Sequence, residues 1–460
     1  MMSKLIHGGL SAVLLAYIWT AIAAPAQTIT TVLNFNGANG GFPTCALVQA
    51  SDGYLYGTTH LGGTSNVGTV FKVTATGAVT TLYSFSTTEG NLPYSGVTLA
   101  SDGTVYGTTW ANGAWGWGTI FSLSPGGTLS TLHSFLEQQG GMPVVPMIED
   151  TDGNFYGVTA SGGYGALPGN GSIFRIRPAG QMKVLYKFCK NPTCPDGSYP
   201  GGLVQVGSEF YGTTDQGGVY NSGTVFKIDP KGTLVTLASF QGGGGNPYGW
   251  MILASNGKFY GTTDKGGANG YGSVFEVTAD GVLTTLHSFD ATDGVDPESP
   301  LVQGTDGNLY SVAKGGGANN LGVLYQITPS GKFQVLHSFQ GTDGSGPIAG
   351  MMQDTDGNFY GSTSAGGSTG NGTLFQLSMG LPPFVTLTPA AGAPGTTVTI
   401  LGTDLSGTSV VSFNGIGATF SILSPTQISA TVPAGATMGK VQVVTPTGTL
   451  LSNVAFRVQP

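Results

Sequence analysis

Two pairs of carboxylates, Asp150 with Asp152 and Asp354 with Asp356, each stand just ahead of a glycine. Such a spacing can gather oxygens, but calcium requires six to eight of them, and neither segment continues with acids at EF-hand spacing. Asn256-Gly257 fills the same place elsewhere in the chain, so a tight turn accounts for the pattern and no metal or cofactor is expected. Three histidines, His133, His287 and His337, share one sequence position (Leu-His-Ser-Phe) that also accepts Tyr83, Tyr186 and Ala238. A place that takes all three residue types serves packing, not proton transfer. His60 stands alone. No Ser-His-Asp arrangement, metal-spaced His/Cys cluster or phosphate-cradling loop before a helix can be read. The acids Glu89, Glu137, Asp215, Asp264, Asp293, Asp296 and Glu298 remain as candidates for two-carboxylate glycosidic chemistry. That chemistry needs two carboxyls about 5–10 Å apart, and along the chain no two of these form a recognisable pair.

The elements that position these residues follow from a repeat. Aromatic-Tyr-Gly-Thr-Thr, a Gly-Gly pair and Gly-Thr-Val-Phe return with the tyrosine at Tyr56, Tyr106, Tyr156, Tyr211, Tyr260, Tyr310 and Tyr360. A second landmark, Leu-x-x-Phe, ends at Phe35, Phe85, Phe135, Phe188, Phe240, Phe289 and Phe339. A period of about 50 residues built from short strands predicts propeller blades, each too thin to bury its own apolar face. Within the first repeat, Ala46 to Ala50 and Tyr54 to Thr59 flank an Asp-Gly hairpin signal. Gly68 to Thr74 and Val79 to Phe85 then flank a second turn. The last repeat stops after its third strand, Gly372 to Ser378, and the missing fourth type appears at Thr28 to Phe35. The expected fold is therefore all-β: a seven-bladed propeller of four-stranded blades over 27–381, its last blade closed by the N-terminal strand.

Composition agrees. Glycine supplies 79 of 460 residues, far above the usual share of about 7%, as tight turns in every blade require. Charged residues are 8% and the net charge is −8, which leaves no basic surface for nucleic acid. Residues 1–26 read as a signal peptide: Lys4, an apolar run from Leu10 to Ala23, then Ala24-Pro25-Ala26. That run is too short for a comfortable membrane span, and no second one follows. A secreted or cell-surface monomer without a span in the mature chain is expected. Export suits a local disulfide between Cys189 and Cys194, which bracket a proline-containing loop. Cys45 is left over, expected as a small buried residue in the first strand of blade one.

After Pro382-Pro383 the repeat gives way, over 382–460, to short alternating strands typical of an immunoglobulin-like β-sandwich. Pro389, the run Ala393 to Gly402 (APGTTVTILG), Val411 to Gly415 (VSFNG), Val432-Pro433 and Val441 to Val443 resemble the IPT/TIG domain. The repeats, with Asp306-Gly307-Asn308-Leu309-Tyr310 and its kin, resemble the GloVer tandem repeat of exported bacterial proteins. That resemblance implies a secreted or surface-attached protein and no assigned activity.

In a four-stranded blade the second-to-third and fourth-to-first connections emerge on one side of the ring. Trp110, Trp115 and Trp117 fall in such a connection of blade two, and Tyr248 and Trp250 follow another before blade five. Phe42, Tyr94, Tyr164, Tyr199, Tyr220 and Tyr271 lie in equivalent loops. Sugar rings and protein partners both use exposed aromatics as platforms. The sequence thus points to a protein that binds an extracellular glycan or surface protein through this long-loop face. The alternative is an extracellular polysaccharide lyase or glycoside hydrolase on the same scaffold.

Overall fold

The computed structural model describes residues 27–459 except 101, 151, 164–169 and 242–244. Residues 1–26, expected to be a signal peptide, and Tyr164 lie outside the described residues. Every regular element among those described is a strand, and seven four-stranded sheets cover the repeats. Blade one consists of Val48–Gln49, Leu55–Thr59, Thr69–Val73 and Val79–Ser84, in chain order across the sheet. The first strand is the shortest in six blades, at two residues, whereas in blade four it is the longest and runs Ser198–Val206. In blade seven the N-terminal strand Thr28–Asn34 pairs antiparallel with Thr373–Ser378, from Thr28 opposite Ser378 to Asn34 opposite Thr373. The ring is closed as the repeat offset predicts.

Each letter of the repeat has a packing reason. The glycine of Tyr-Gly-Thr-Thr lies under the third-strand phenylalanine. A Cβ on Gly57, Gly107, Gly157, Gly212, Gly261 or Gly361 would come within 2.5–2.9 Å of that ring. The closing phenylalanine of Leu-x-x-Phe crosses to the next blade, where it meets the same ring edge-on: Phe85 on Phe121 at 5.2 Å, Phe135 on Phe174 at 5.3 Å. Phe35 does this for blade one against Phe71, also at 5.3 Å. The second threonine pairs its hydroxyl with the one opening the third strand, as in Thr59–Thr69 and Thr363–Thr373, both 2.8 Å. Blade six replaces both partners with Ala313 and Val323. Exchanging both members of a buried hydrogen bond for apolar groups avoids the cost of leaving one unpaired.

The Asp-Gly turns are held by the repeat tyrosines. Tyr56, Tyr310 and Tyr360 donate their hydroxyls to Asp52, Asp306 and Asp356 at 2.8–2.9 Å, and Asn256 donates to Tyr260 in the same place at 2.7 Å. These bonds give the turn acids a structural role that needs no ion. The repeated histidines also pack: His287 stacks on Phe333 of the next blade at 3.8 Å and bonds Asp293 at 2.9 Å.

The C-terminal domain is a sandwich of two sheets over a core that includes Val398, Ile400, Phe413, Val443 and Phe456. One sheet orders Thr386–Thr388, Thr397–Leu401, Gln427–Thr431 and Phe420–Ser424; the other is built around Gly448–Val458 and Gly439–Thr445. Phe420–Ser424 carries exposed Ile422 and Leu423, so the inside-outside alternation that reveals a strand is lost there. The sandwich meets the propeller at the Asp-Gly hairpins, on the side away from the long loops. Phe384 donates its N–H to Thr355 O at 3.0 Å, and Thr426 donates to Ser51 O at 2.6 Å.

Cys189 and Cys194 are joined, with Cα atoms 4.2 Å apart. Cys45 is free and buried, but it lies in the connection ahead of the first strand rather than within it, because that strand is only Val48–Gln49. Its sulfur accepts the Thr58 N–H at 3.1 Å.

Candidate functional site at the propeller funnel

Two repeat positions place side chains at the mouth of the ring. One follows Thr-Thr at the end of the second strand and holds His60, Trp110, Ala160, Asp215, Asp264, Lys314 and Ser364. The other follows the proline leading into each first strand; there stand Thr44, Tyr94, Val144, Tyr248, Glu298 and Ile348. The residue before that proline is left-handed in every blade, and non-glycine in six: Phe42, Leu92, Met142, Tyr199, Asn246 and Asp296 have φ between 49° and 66°. Such a backbone is uncommon outside glycine and costs about 1–2 kcal/mol per residue. The neighbouring strand fixes it: the N–H groups of His60, Trp110, Asp264 and Lys314 bond the carbonyls of Phe42, Leu92, Asn246 and Asp296 at 3.0–3.2 Å. One clamp, repeated around the ring, thus aims a variable side chain from each blade at the funnel.

The variable residues converge. The phenols of Tyr94 and Tyr248, from blades two and five, interact across the mouth, with Trp250 and Glu298 beside them. Burial first and the Glu298 charge second raise the Tyr94 phenol, against the opposing bond with Tyr248 and the Lys314 charge, while burial and then Tyr94 and Glu298 raise Tyr248. Lys314 bonds Glu298 at 3.0 Å and Lys265 bonds Asp296 at 2.7 Å. Asn246 donates to Asp215 at 3.2 Å. Asp264 has a buried oxygen with no hydrogen-bond partner. Burial first, and the Asp215 charge second, push its carboxyl up to about 6. Asp215 is raised as well, chiefly by burial, against the opposing bond from Asn246. Beneath the phenols lies a cavity of about 30 Å³, room for a water molecule or two but not for a sugar ring.

Four of the seven acids taken from the sequence, Asp215, Asp264, Asp296 and Glu298, therefore share one neighbourhood. Asp215, Asp264 and the loop of Asp296 and Glu298 come from three successive blades, so the sequence showed no pair across them. Glu89 accepts from Ser86 and Thr88 within its own loop, and Asp293 is engaged by His287. Lys265 and Lys314 were missed altogether. Reading the fourth residue after each repeat tyrosine is the signal that finds Lys314 together with Asp215 and Asp264.

The five aromatics proposed as platforms divide. Tyr248 is exposed and Trp250 half-buried, both lining the funnel. Trp115 is 61% exposed at a loop tip. Trp110 is half-buried in the clamp position of blade two, outside the cavity lining. Trp117 packs on the core between blades two and three, where its ring leaves no space for a Cβ on Gly141. Trp117→Ala should accordingly lower stability by about 2 kcal/mol or more. Trp115→Ala should stay within about 0.5 kcal/mol. Thermal melts of the two single variants check this without knowledge of a ligand.

Comparison with known proteins gives the lineage. The Gloeobacter/Verrucomicrobia repeat signature matches residues 20–166 and 146–375, and the IPT/TIG domain signature matches 382–458. No curated protein matches the sequence. Among solved structures, a periplasmic gluconolactonase from Pseudomonas aeruginosa is similar at 16% identity and a TM-score of 0.45, covering 71% of this chain and 97% of that one. A gluconolactonase from Xanthomonas campestris is similar at 12% identity and a TM-score of 0.42, covering 78% and 91%. Likeness at this level carries nothing about activity. Two overlapping repeat matches spanning most of the length, on a ring of seven like sheets, make the chain a member of the Gloeobacter/Verrucomicrobia repeat family, extended by a C-terminal IPT/TIG domain.

Proposed function

We propose that this is a secreted or cell-surface binding protein whose propeller presents the funnel mouth to an extracellular carbohydrate. One observation carries the reading: phenols, an indole and hydrogen-bonding carboxylates from several blades meet around a shallow, closed mouth. Rings supply stacking surface for the flat faces of sugars, and carboxylates accept from their hydroxyls. The IPT/TIG domain, seated on the opposite side, leaves that face free. A second reading, a polysaccharide-active enzyme, draws support from Asp264 and Asp215, an acid raised to about 6 beside a second carboxylate. Against it stands the closure of the funnel by Tyr94 and Tyr248, which leaves no pocket to enclose a reacting ring.

A glycan array with the purified mature protein tests both. Binding should be found for at least one neutral oligosaccharide class and should fall about tenfold with Tyr248→Ala, a loss near 1.4 kcal/mol. Because Asp264 ionises at about 6, contacts that need its carboxylate should strengthen as pH rises from 5 to 7 and become flat in Asp264→Asn. Release of reducing ends or unsaturated products from the bound glycan, abolished by Asp264→Asn, would instead establish the enzyme.

A further inference from the structure

The residue two places before each closing phenylalanine sits at the seam with the next blade. Five blades put a ring there: Tyr83, His133, Tyr186, His287 and His337 meet that phenylalanine edge-on, with centroids 4.9–5.4 Å apart. His287 also lies flat on Phe333, which opens the outer strand of blade six. Leu33 fills the place in blade seven, and Ala238 leaves it nearly bare in blade four. A cavity of about 470 Å³ opens at that seam. Ala238 lines one side and Leu283, the counterpart of Phe333, the other, with Phe240 and Phe275, both buried, at the floor.

We infer that this seam binds a neutral, single-ring aromatic compound, its ring held in the place that Tyr83 or His287 fills in its own blade. The two blades have no freedom to close over the space, because beside it they are already in contact. A Cβ on Gly281 would strike Leu237 O at 2.5 Å, and Phe240 meets Phe275 at 5.0 Å. Cavities left by a missing side chain in so tied a setting persist, and they take up benzene-sized rings. The bordering strand is altered too. Its Val235 is 45% exposed, where Thr30, Thr80, Ser130, Lys183, Thr284 and Gln334 stand in the other outer strands.

The repeat names the ligand. In the other seams a ring lies edge-on to phenylalanine, an arrangement that aromatic quadrupoles favour. There its polar end is also anchored, as in His287 to Asp293 at 2.9 Å and His337 to Asp343 at 2.6 Å. Among the described residues, none that lines the blade-four cavity is charged. An imidazolium therefore finds no counter-charge, and a phenol or plain benzene ring is selected. The volume exceeds that of one ring, so substituents extend past Gln241 and Thr285, both exposed, into solvent. None of these residues lines the funnel cavity, so the site is separate from the one proposed above.

Methyl resonances of Leu283 in the full mature chain, followed by NMR during titration with 4-methylphenol, read the site directly. A ring-current shift should saturate with a midpoint of about 1 mM, the range open to so small a ligand. The methyls of Val398 in the sandwich core should not move. In competition, 4-methylcyclohexanol, of similar size but without a flat ring, should displace the phenol only at about threefold higher concentration or more. Ala238→Tyr and Ala238→His supply the ring from within, and each should weaken 4-methylphenol binding by about tenfold or more. Both side chains already serve at this position in other blades, so the second variant guards against misfolding of the first. No saturable shift at Leu283, an equal shift at Val398, equal binding of the two probes, or binding that survives both substitutions would each overturn the proposal.

Discussion

Deleting residues 27–35 should abolish monomeric, cooperatively folding protein. The strand Thr28–Asn34 supplies the outer strand of blade seven through its ladder with Thr373–Ser378. Phe35 closes the ring of inter-blade contacts against Phe71, and the Phe35 carbonyl accepts from Thr369. Asn34 accepts the Ser368 N–H at 2.8 Å. Without them the chain is left with an unpaired strand edge and an uncovered aromatic core residue, at the one place where the ring has no covalent continuity. Light scattering behind size exclusion should show aggregates or exchanged oligomers, and thermal unfolding should broaden or vanish. A sharp melt of a monomer near the parent temperature would mean that the remaining blades close without it.

Phe121→Ala should cost about 3–5 kcal/mol. The ring is fully buried, takes the edge of Phe85 from the preceding blade, and lies over Gly107, whose missing side chain makes its room. The surrounding sheets are tied by ladders on both sides and have little freedom to collapse into the space. Phe85→Ala in the same background should cost less than it does alone, since the two rings form one contact. Denaturant unfolding at equilibrium measures all three variants, and strict additivity would show that the blades are not coupled through this pair.

The architecture was legible because a strand repeat writes its packing rules seven times. Gly107 beneath Phe121, Thr59 against Thr69 and Phe85 crossing to the next blade are local demands, met at constant spacing. The funnel was harder to see for the same reason. Asp215 and Asp264 stand on neighbouring blades a full repeat apart in sequence, and Tyr94 and Tyr248 meet only because the ring turns back on itself. Aromatic type alone was a poor guide: Trp115 and Trp117 sit two residues apart, yet one faces solvent and the other packs between blades. The cover over Thr355 was invisible as well, since Phe384, which donates to its carbonyl, belongs to no repeat. Read as a turn, Asp354-Thr355-Asp356-Gly357 looks like its kin.

The backbone clamp at the funnel separates two jobs that most binding sites entangle. The left-handed residue before each proline and the N–H that holds its carbonyl are main-chain features, to which blade seven adds a second bond from the Ser364 hydroxyl to the Gly346 carbonyl at 2.7 Å. Histidine, tryptophan, alanine, aspartate, lysine and serine all stand at the same place without altering it. The mouth is therefore a dial of interchangeable letters on a fixed mount. The letters can be exchanged one blade at a time where the side chain stands clear of the clamp, and Ala160→Lys should change the chemistry of that place while leaving how the ring is built untouched.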